Sequence, residues 1–157
     1  MTDLPTRNIS IGLIRRMSED GWRWLARWNQ TRGYFDFVTA DCLEGESARE
    51  AISREVAWVL DLDRSRDILV CNMAQCNLQF VECLPGQTME TNMKVAFYNV
   101  ELYRSNSVER VNSDTENAWL TSQEICDGNT KDKLLLNPIL KYLVGKSGVI
   151  QHWESST

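Results

Sequence analysis

Between residues 47 and 61 the hydrophobic period of the chain changes, and this change sets the class of fold open to it. Ala48, Ala51, Ile52, Val56 and Val59 recur at helical spacing. Ser47 followed by Glu50 is a capping-box pattern, in which the hydroxyl accepts from a first-turn amide and the carboxylate reaches back to the cap. The segments on either side have strand chemistry. Ile9 to Arg16 is short and apolar, Ser18-Glu19-Asp20-Gly21 is a turn, and Trp22 to Trp28 alternates large indoles with Arg23 and Arg27, so the two runs form a hairpin. Gly33 precedes a third strand, Tyr34 to Val38. After the helix come Ile68 to Asn72, Leu78 to Leu84 with the turn Pro85-Gly86, and Lys94 to Tyr103, which alternates around Val95, Phe97, Val100 and Leu102. Ala118-Trp119-Leu120 is a short apolar patch ahead of Thr121-Ser122-Gln123-Glu124, which caps a short helical turn. Leu134 to Val144 reads as a final helix with Pro138 in its first turn or at its start. Strands with helices at two separated points predict an α/β fold: a mixed sheet covered on both faces, an α/β/α sandwich.

The length of 157 residues predicts a single domain, with its core from about residue 8 to 144 and a polar tail, 145–157, containing Trp153. With 43% hydrophobic and 25% charged residues, the chain has the material for a core and is neither disordered nor collagen-like. The net charge is −5, and no basic run exceeds Arg15-Arg16, which argues against a nucleic-acid polymer as partner. No stretch has the length of a membrane span, and Met1 to Asn8 lacks the apolar run of a secretory signal, so a membrane partner is not expected. Five cysteines without a Cys-x-x-Cys pair, and one histidine, His152, argue against a disulfide framework, a zinc site and Ser-His-Asp or Cys-His catalysis. Reduced thiols in a cytoplasmic protein are the expectation.

The run Gly45-Glu46-Ser47-Ala48-Arg49-Glu50-Ala51-Ile52-Ser53-Arg54-Glu55-Val56 resembles the signature of the Nudix family. That signature is a Gly, five residues, a Glu, seven residues, Arg-Glu, an aliphatic, one residue, Glu-Glu, one residue, Gly and an aliphatic. Here Glu46 is followed by seven residues, then Arg54-Glu55 and Val56, and the last aliphatic falls on Leu62. Tyr34 to Val38 matches the strand that leads into the family's loop-helix motif, and Trp119 with Thr121–Glu124 matches its Trp and short helix. The resemblance runs from about Asn8 to about Val144 and implies a Nudix-like sandwich.

The same register places Ala40 at the family's first Gly, with Thr39 before it, Trp58 and Val59 at its Glu-Glu pair, and Asp61 at its late Gly. In the family, the Glu after Arg and the Glu-Glu pair gather Mg²⁺ beside a diphosphate. Positions 55, 58 and 59 share one helix face, so three carboxylates there would supply the oxygens a hard cation requires. This chain supplies one of them, Glu55. The expectation is therefore a Nudix-fold module with a degenerate metal site that binds a small nucleotide-derived ligand, senses it, or mediates an interaction, with no cofactor. The alternative is a hydrolase of nucleoside diphosphate derivatives using Mg²⁺ or Mn²⁺. It would draw metal ligands from Glu46, Glu50 and Glu55 and catalytic acids from Glu55 and Glu116.

Each of these residues also has a plainer role. Glu50 suits a helix cap, Glu46 the positive end of the helix, and Glu116 a solvated loop. Arg54 holds the catalytic loop of the family through an acid. Trp58 is expected to fill the space of the missing metal site or, with Arg54, to line a pocket there.

Overall fold

The structure, a computed structural model, describes residues 4–83, 89–144 and 149–150. β1 (Thr6–Ser18) is the spine of an eight-stranded mixed sheet. Its first part runs parallel to β7 (Glu90–Leu102), from Thr6 opposite Asn92 to Ile14 opposite Val100. Its last four residues turn through Glu19 and Asp20 into β2 (Gly21–Asn29), with Ser18 opposite Gly21 and Arg15 opposite Trp24. β3 (Tyr34–Asp36) and β8 (Asn117–Leu120) flank β2, while β5 (Ile68–Val70) and β6 (Cys76–Cys83) pair antiparallel with β7.

Because neighbouring side chains on a strand point to opposite faces, β1 divides its residues between two cores. Ile9, Ile11 and Leu13 join Met93, Val95 and Phe97 of β7 under Leu140 and Leu143. Ile14 joins Val100 and Leu25 under α1 (Ala48–Leu60), which buries Ala51, Ile52, Val56 and Leu60. A Cβ on Gly12 would already touch Ile52 and Val56 at 3.4 Å, so the bare backbone there lets α1 seat on the sheet. The helix about residues 47–61 and the 134–144 segment therefore lie against opposite faces, as the change of period predicts.

Both capping boxes form. Ser47 Oγ accepts from Glu50 N at 3.1 Å, and Thr121 Oγ1 accepts from Glu124 N at 3.0 Å at the start of α3 (Ser122–Asp127).

The structure departs from the sequence reading at several points. Residues 34–38 are not one strand. Asp36 Oδ1 accepts from Phe37 N at 2.8 Å, the chain turns, and a separate strand, β4 (Thr39–Asp41), pairs with β1 instead of β2. A helix unmarked by the periodicity, α2 (Ser105–Ser113), follows β7. Residues 134–137 are extended rather than helical. Leu136 bridges Phe35, and only at Pro138 does a 3₁₀ turn begin, continuing into α4 (Lys141–Val144). Within the segment read as a polar tail, Ile150 is 1% exposed and donates its N–H to the Leu143 carbonyl at 2.9 Å, so the core extends past residue 144. Leu84, the Pro85-Gly86 turn, and the tail residues 145–148 and 151–157 lie outside the described residues.

Candidate functional site

Arg54, at the middle of α1, organises the loop that enters the helix. Its Nε and Nη2 donate to the two carboxylate oxygens of Glu46 at 2.9 and 3.1 Å, and Nη2 also reaches the Asp41 carbonyl at 2.9 Å. Nη1 donates to Glu55 at 3.1 Å. The guanidinium holds the Glu46 carboxyl below its ordinary value, and Glu46 accepts from Leu43 N as well. A two-pronged pair of this kind fixes direction as well as charge. Glu46 is thus engaged with the loop and Glu50 with the helix cap.

Of the other expected residues, Glu116 is an exposed acid in the turn before β8, placed by its N–H to Asp114. Trp58 neither fills a vacated site nor packs into a pocket. It is 82% exposed on the outer side of α1. The cause is geometric: Val56 and Leu60 take the buried stripe, which turns position 58 outward. Val59 instead lines a shallow cleft with Arg27, Asp36 and Thr39. Asp61, at the position of the family's late Gly, caps α1 in the left-handed region at φ 54° and ψ 52°, the conformation that favours glycine there.

The chemistry of this donor set can be weighed against a Mg²⁺ ion, which takes several oxygens in octahedral order. At positions 55, 58 and 59 stand a carboxylate already bonded to Arg54, an outward indole and an isopropyl group. Among the described residues, no group of three or more His, Cys, Asp or Glu is placed to hold a metal. The donor set does not fit the ion.

On the other face of the sheet, a cleft of about 490 Å³ opens between β1, β7 and the 137–139 turn. Its floor is apolar, with Ile9, Ile11, Met93, Val95 and Phe80. Its polar groups include Asp36 and Asn137, which are bonded to each other, Asn137 Nδ2 donating to Asp36 Oδ2 at 3.0 Å. Burial pushes the Asp36 carboxyl up to about 6, against the lowering effect of the bonds from Asn137 and Phe37 N. The Tyr34 hydroxyl is raised as well, first by burial and then by the Asp36 charge. Arg7 and Arg32 stand at the rim. Arg7 grips Asp41 through two bonds at 2.6 and 2.8 Å, and Arg32 lies 3.7 Å from Glu82.

A carboxylic acid poised near neutrality, an amide and two guanidiniums over an apolar floor are what a pocket needs to orient a flat polar ligand. None of these residues stands out in the sequence. The one available signal is Asp36 itself, an acid between Phe35 and Phe37 in a strand, which must be either satisfied or functional.

No family model matches the chain, and no curated protein matches it. Solved structures do match in fold. NrtR of Shewanella oneidensis aligns with a TM-score of 0.62 at 10% identity, over 89% of this chain and 60% of that one. RenU, a Nudix hydrolase from M. smegmatis, aligns with a TM-score of 0.52 at 13% identity, over 88% of this chain and 82% of that one. The Ap4A hydrolase of C. elegans aligns with a TM-score of 0.52 at 10% identity, over 78% of this chain and 85% of that one. Identities this low speak for the fold alone, and they give one conclusion: this chain has the mixed-sheet α/β fold that these Nudix structures share.

Proposed function

We propose that this domain binds or senses a small nucleotide-derived ligand in the cleft over Asp36 and Asn137, and that it works without a metal cofactor and without the pyrophosphate hydrolysis of active Nudix enzymes. The observation that supports this reading most is the Asp36–Asn137 pair on the floor of a 490 Å³ cleft with arginines at its rim. An ionised carboxylate and an amide offer an acceptor and a donor to a base edge. The apolar side chains of Ile9, Met93 and Phe80 supply a surface for its flat face, and Arg7 and Arg32 lie where phosphates would leave the cleft. The acids that would carry metal chemistry are instead committed to Arg54 and to the helix cap.

NrtR has also been solved with a 27mer DNA. That partner is not carried over, because this chain covers 59% of that one and has no basic run longer than Arg15-Arg16. Among the described residues no helix is long and apolar enough to cross a membrane, and no membrane partner is proposed.

A thermal-shift screen of nucleosides and their mono-, di- and triphosphates, with and without Mg²⁺ and Mn²⁺, tests the reading. The expected result is stabilisation by a nucleotide that does not depend on the metal and is lost in Asn137→Ala. Stabilisation that requires the metal and is lost in Glu55→Gln would favour a hydrolase with a rearranged site. Absence of any nucleotide shift would reject the binding reading.

A further inference from the structure

A second cavity, of about 400 Å³, lies on the α1 side of the sheet, where the β1–β2 hairpin meets α2 and β8. Arg16 and Arg23 both line it, and the strand register sets them directly opposite each other. Like charges in a directly opposed cross-strand pair destabilise a sheet. Among the described residues no carboxylate lines this cavity, whereas each arginine at the rim of the Asp36 cleft has an acid beside it.

The Arg16 guanidinium lies 5.3 Å from the centre of the Trp119 ring and makes no ion pair among the described residues. Arg23 has a side chain only 22% exposed, gives Nη1 to the Trp22 carbonyl at 3.0 Å, and finds its nearest acid, Asp20, at 3.9 Å on a side chain 89% exposed. Trp119 Nε1 donates to Asn112 Oδ1 at 2.7 Å, which fixes the indole and occupies the amide oxygen, so the amide nitrogen is the end of Asn112 left to donate. The wall therefore offers two planar guanidinium forks and an amide N–H around a space with no anion of its own.

We propose that this cavity is a phosphate-binding site, with Arg16 and Arg23 gripping one dianionic phosphate between them. The fork of each arginine matches phosphate oxygens in pairs, and a shared dianion turns the repulsion across the two strands into attraction. Because Arg16 occupies one face of Trp119, the site reads the phosphate, whether that group is inorganic or belongs to a nucleotide. This site is separate from the Asp36 cleft and does not depend on what that cleft binds.

Calorimetric titration of the full chain with inorganic phosphate and, separately, with AMP at low ionic strength tests it. A second readout is the Trp119 indole N–H resonance, assigned with Trp119→Phe. Phosphate is expected to bind and to shift that resonance. Arg16→Gln and Arg23→Gln should each weaken binding at least tenfold, Arg16→Lys by less, and Arg66→Gln, at an exposed arginine that lines neither cavity, should leave phosphate binding unchanged. Equal affinity for phosphate and AMP in the Arg16-dependent site points to the free ion as sufficient. Tighter AMP binding that Arg16→Gln abolishes points to a nucleotide. If Arg23→Gln fails to fold by circular dichroism, the Arg16 pair of variants decides. No binding of either probe, or binding that survives Arg16→Gln and is lost in Arg7→Gln, overturns the proposal.

Discussion

Replacing Asp36 with Asn should change how stability depends on pH, in a direction set by the buried carboxyl. In the unfolded chain this group titrates near 3.8, and in the fold near 6. The folded protein therefore holds the proton more tightly. The stability that comes from this group is complete below pH 3.8 and is lost as the pH rises through about 6. At about 1.4 kcal/mol per pH unit, the full effect is about 3 kcal/mol, and since the cleft admits solvent to the carboxylate, about 2 kcal/mol is expected. Asparagine cannot ionise and escapes the penalty at high pH. It also turns an N–H toward Asn137 or Phe37 N, but that cost does not vary with pH. The stability of Asp36→Asn relative to the parent should thus rise by about 2 kcal/mol between about pH 4 and about pH 7.5. Urea denaturation followed by tryptophan fluorescence at several pH values measures this. A difference that stays flat across the range, or one that falls as the pH rises, would refute the assignment of a raised, proton-holding carboxyl to the cleft floor.

Asp61→Gly should stabilise the protein by about 1 kcal/mol, measured by the same denaturation, because it removes a side chain from the left-handed cap of α1. Arg54→Met should free the loop from Asp41 to Glu46. Amide exchange at Leu43 and Glu46 should quicken at least roughly tenfold, the local equivalent of losing a charged hydrogen-bond network, with α1 remaining folded. The double variant Trp58→Glu with Val59→Glu should fold, since Trp58 is exposed and Val59 lies at a cleft edge, and should acquire a Mn²⁺-dependent thermal shift that the parent lacks.

What could be read from the sequence was whatever is decided locally. The capping boxes at Ser47–Glu50 and Thr121–Glu124 form because each is complete within four residues. The β1–β2 hairpin follows from its own turn, with Ser18 Oγ donating to the Gly21 carbonyl at 2.8 Å. α2 escapes notice because it buries only Ser107 and Val111 and begins at Arg104, which has no capping side chain and sits at φ 65°. The break after Asp36 is invisible because Phe37 and Val38 are as apolar as the strand before them. The chain changes partners there through the bond from Phe37 N to Asp36 and the bond from Thr39 Oγ1 to the Phe37 carbonyl. The final helix starts late because Phe35 N donates to the Leu135 carbonyl and Asn137 N donates to the Phe35 carbonyl, which holds the 135–137 segment extended.

The site divides in the same way. The Arg54–Glu46 pair is suggested by a short motif. The Asp36 cleft draws on residues from 7 to 139, and only the sheet topology brings them together. Trp58 shows the limit of reading by register, since the spacing places it at a site position while the buried stripe of the helix turns it to solvent.

Phosphate release separates the proposed binding without hydrolysis from a working hydrolase. Purified chain would be incubated with nucleoside triphosphates and nucleoside diphosphate derivatives in saturating Mg²⁺ and, separately, Mn²⁺. Phosphoryl transfer depends on metal positioning and charge neutralisation, and the donor set around Glu55 does not fit the ion. Turnover no faster than that of the Glu55→Gln variant is expected. Robust turnover by the parent, lost in both Glu55→Gln and Glu116→Gln, would contradict binding without hydrolysis.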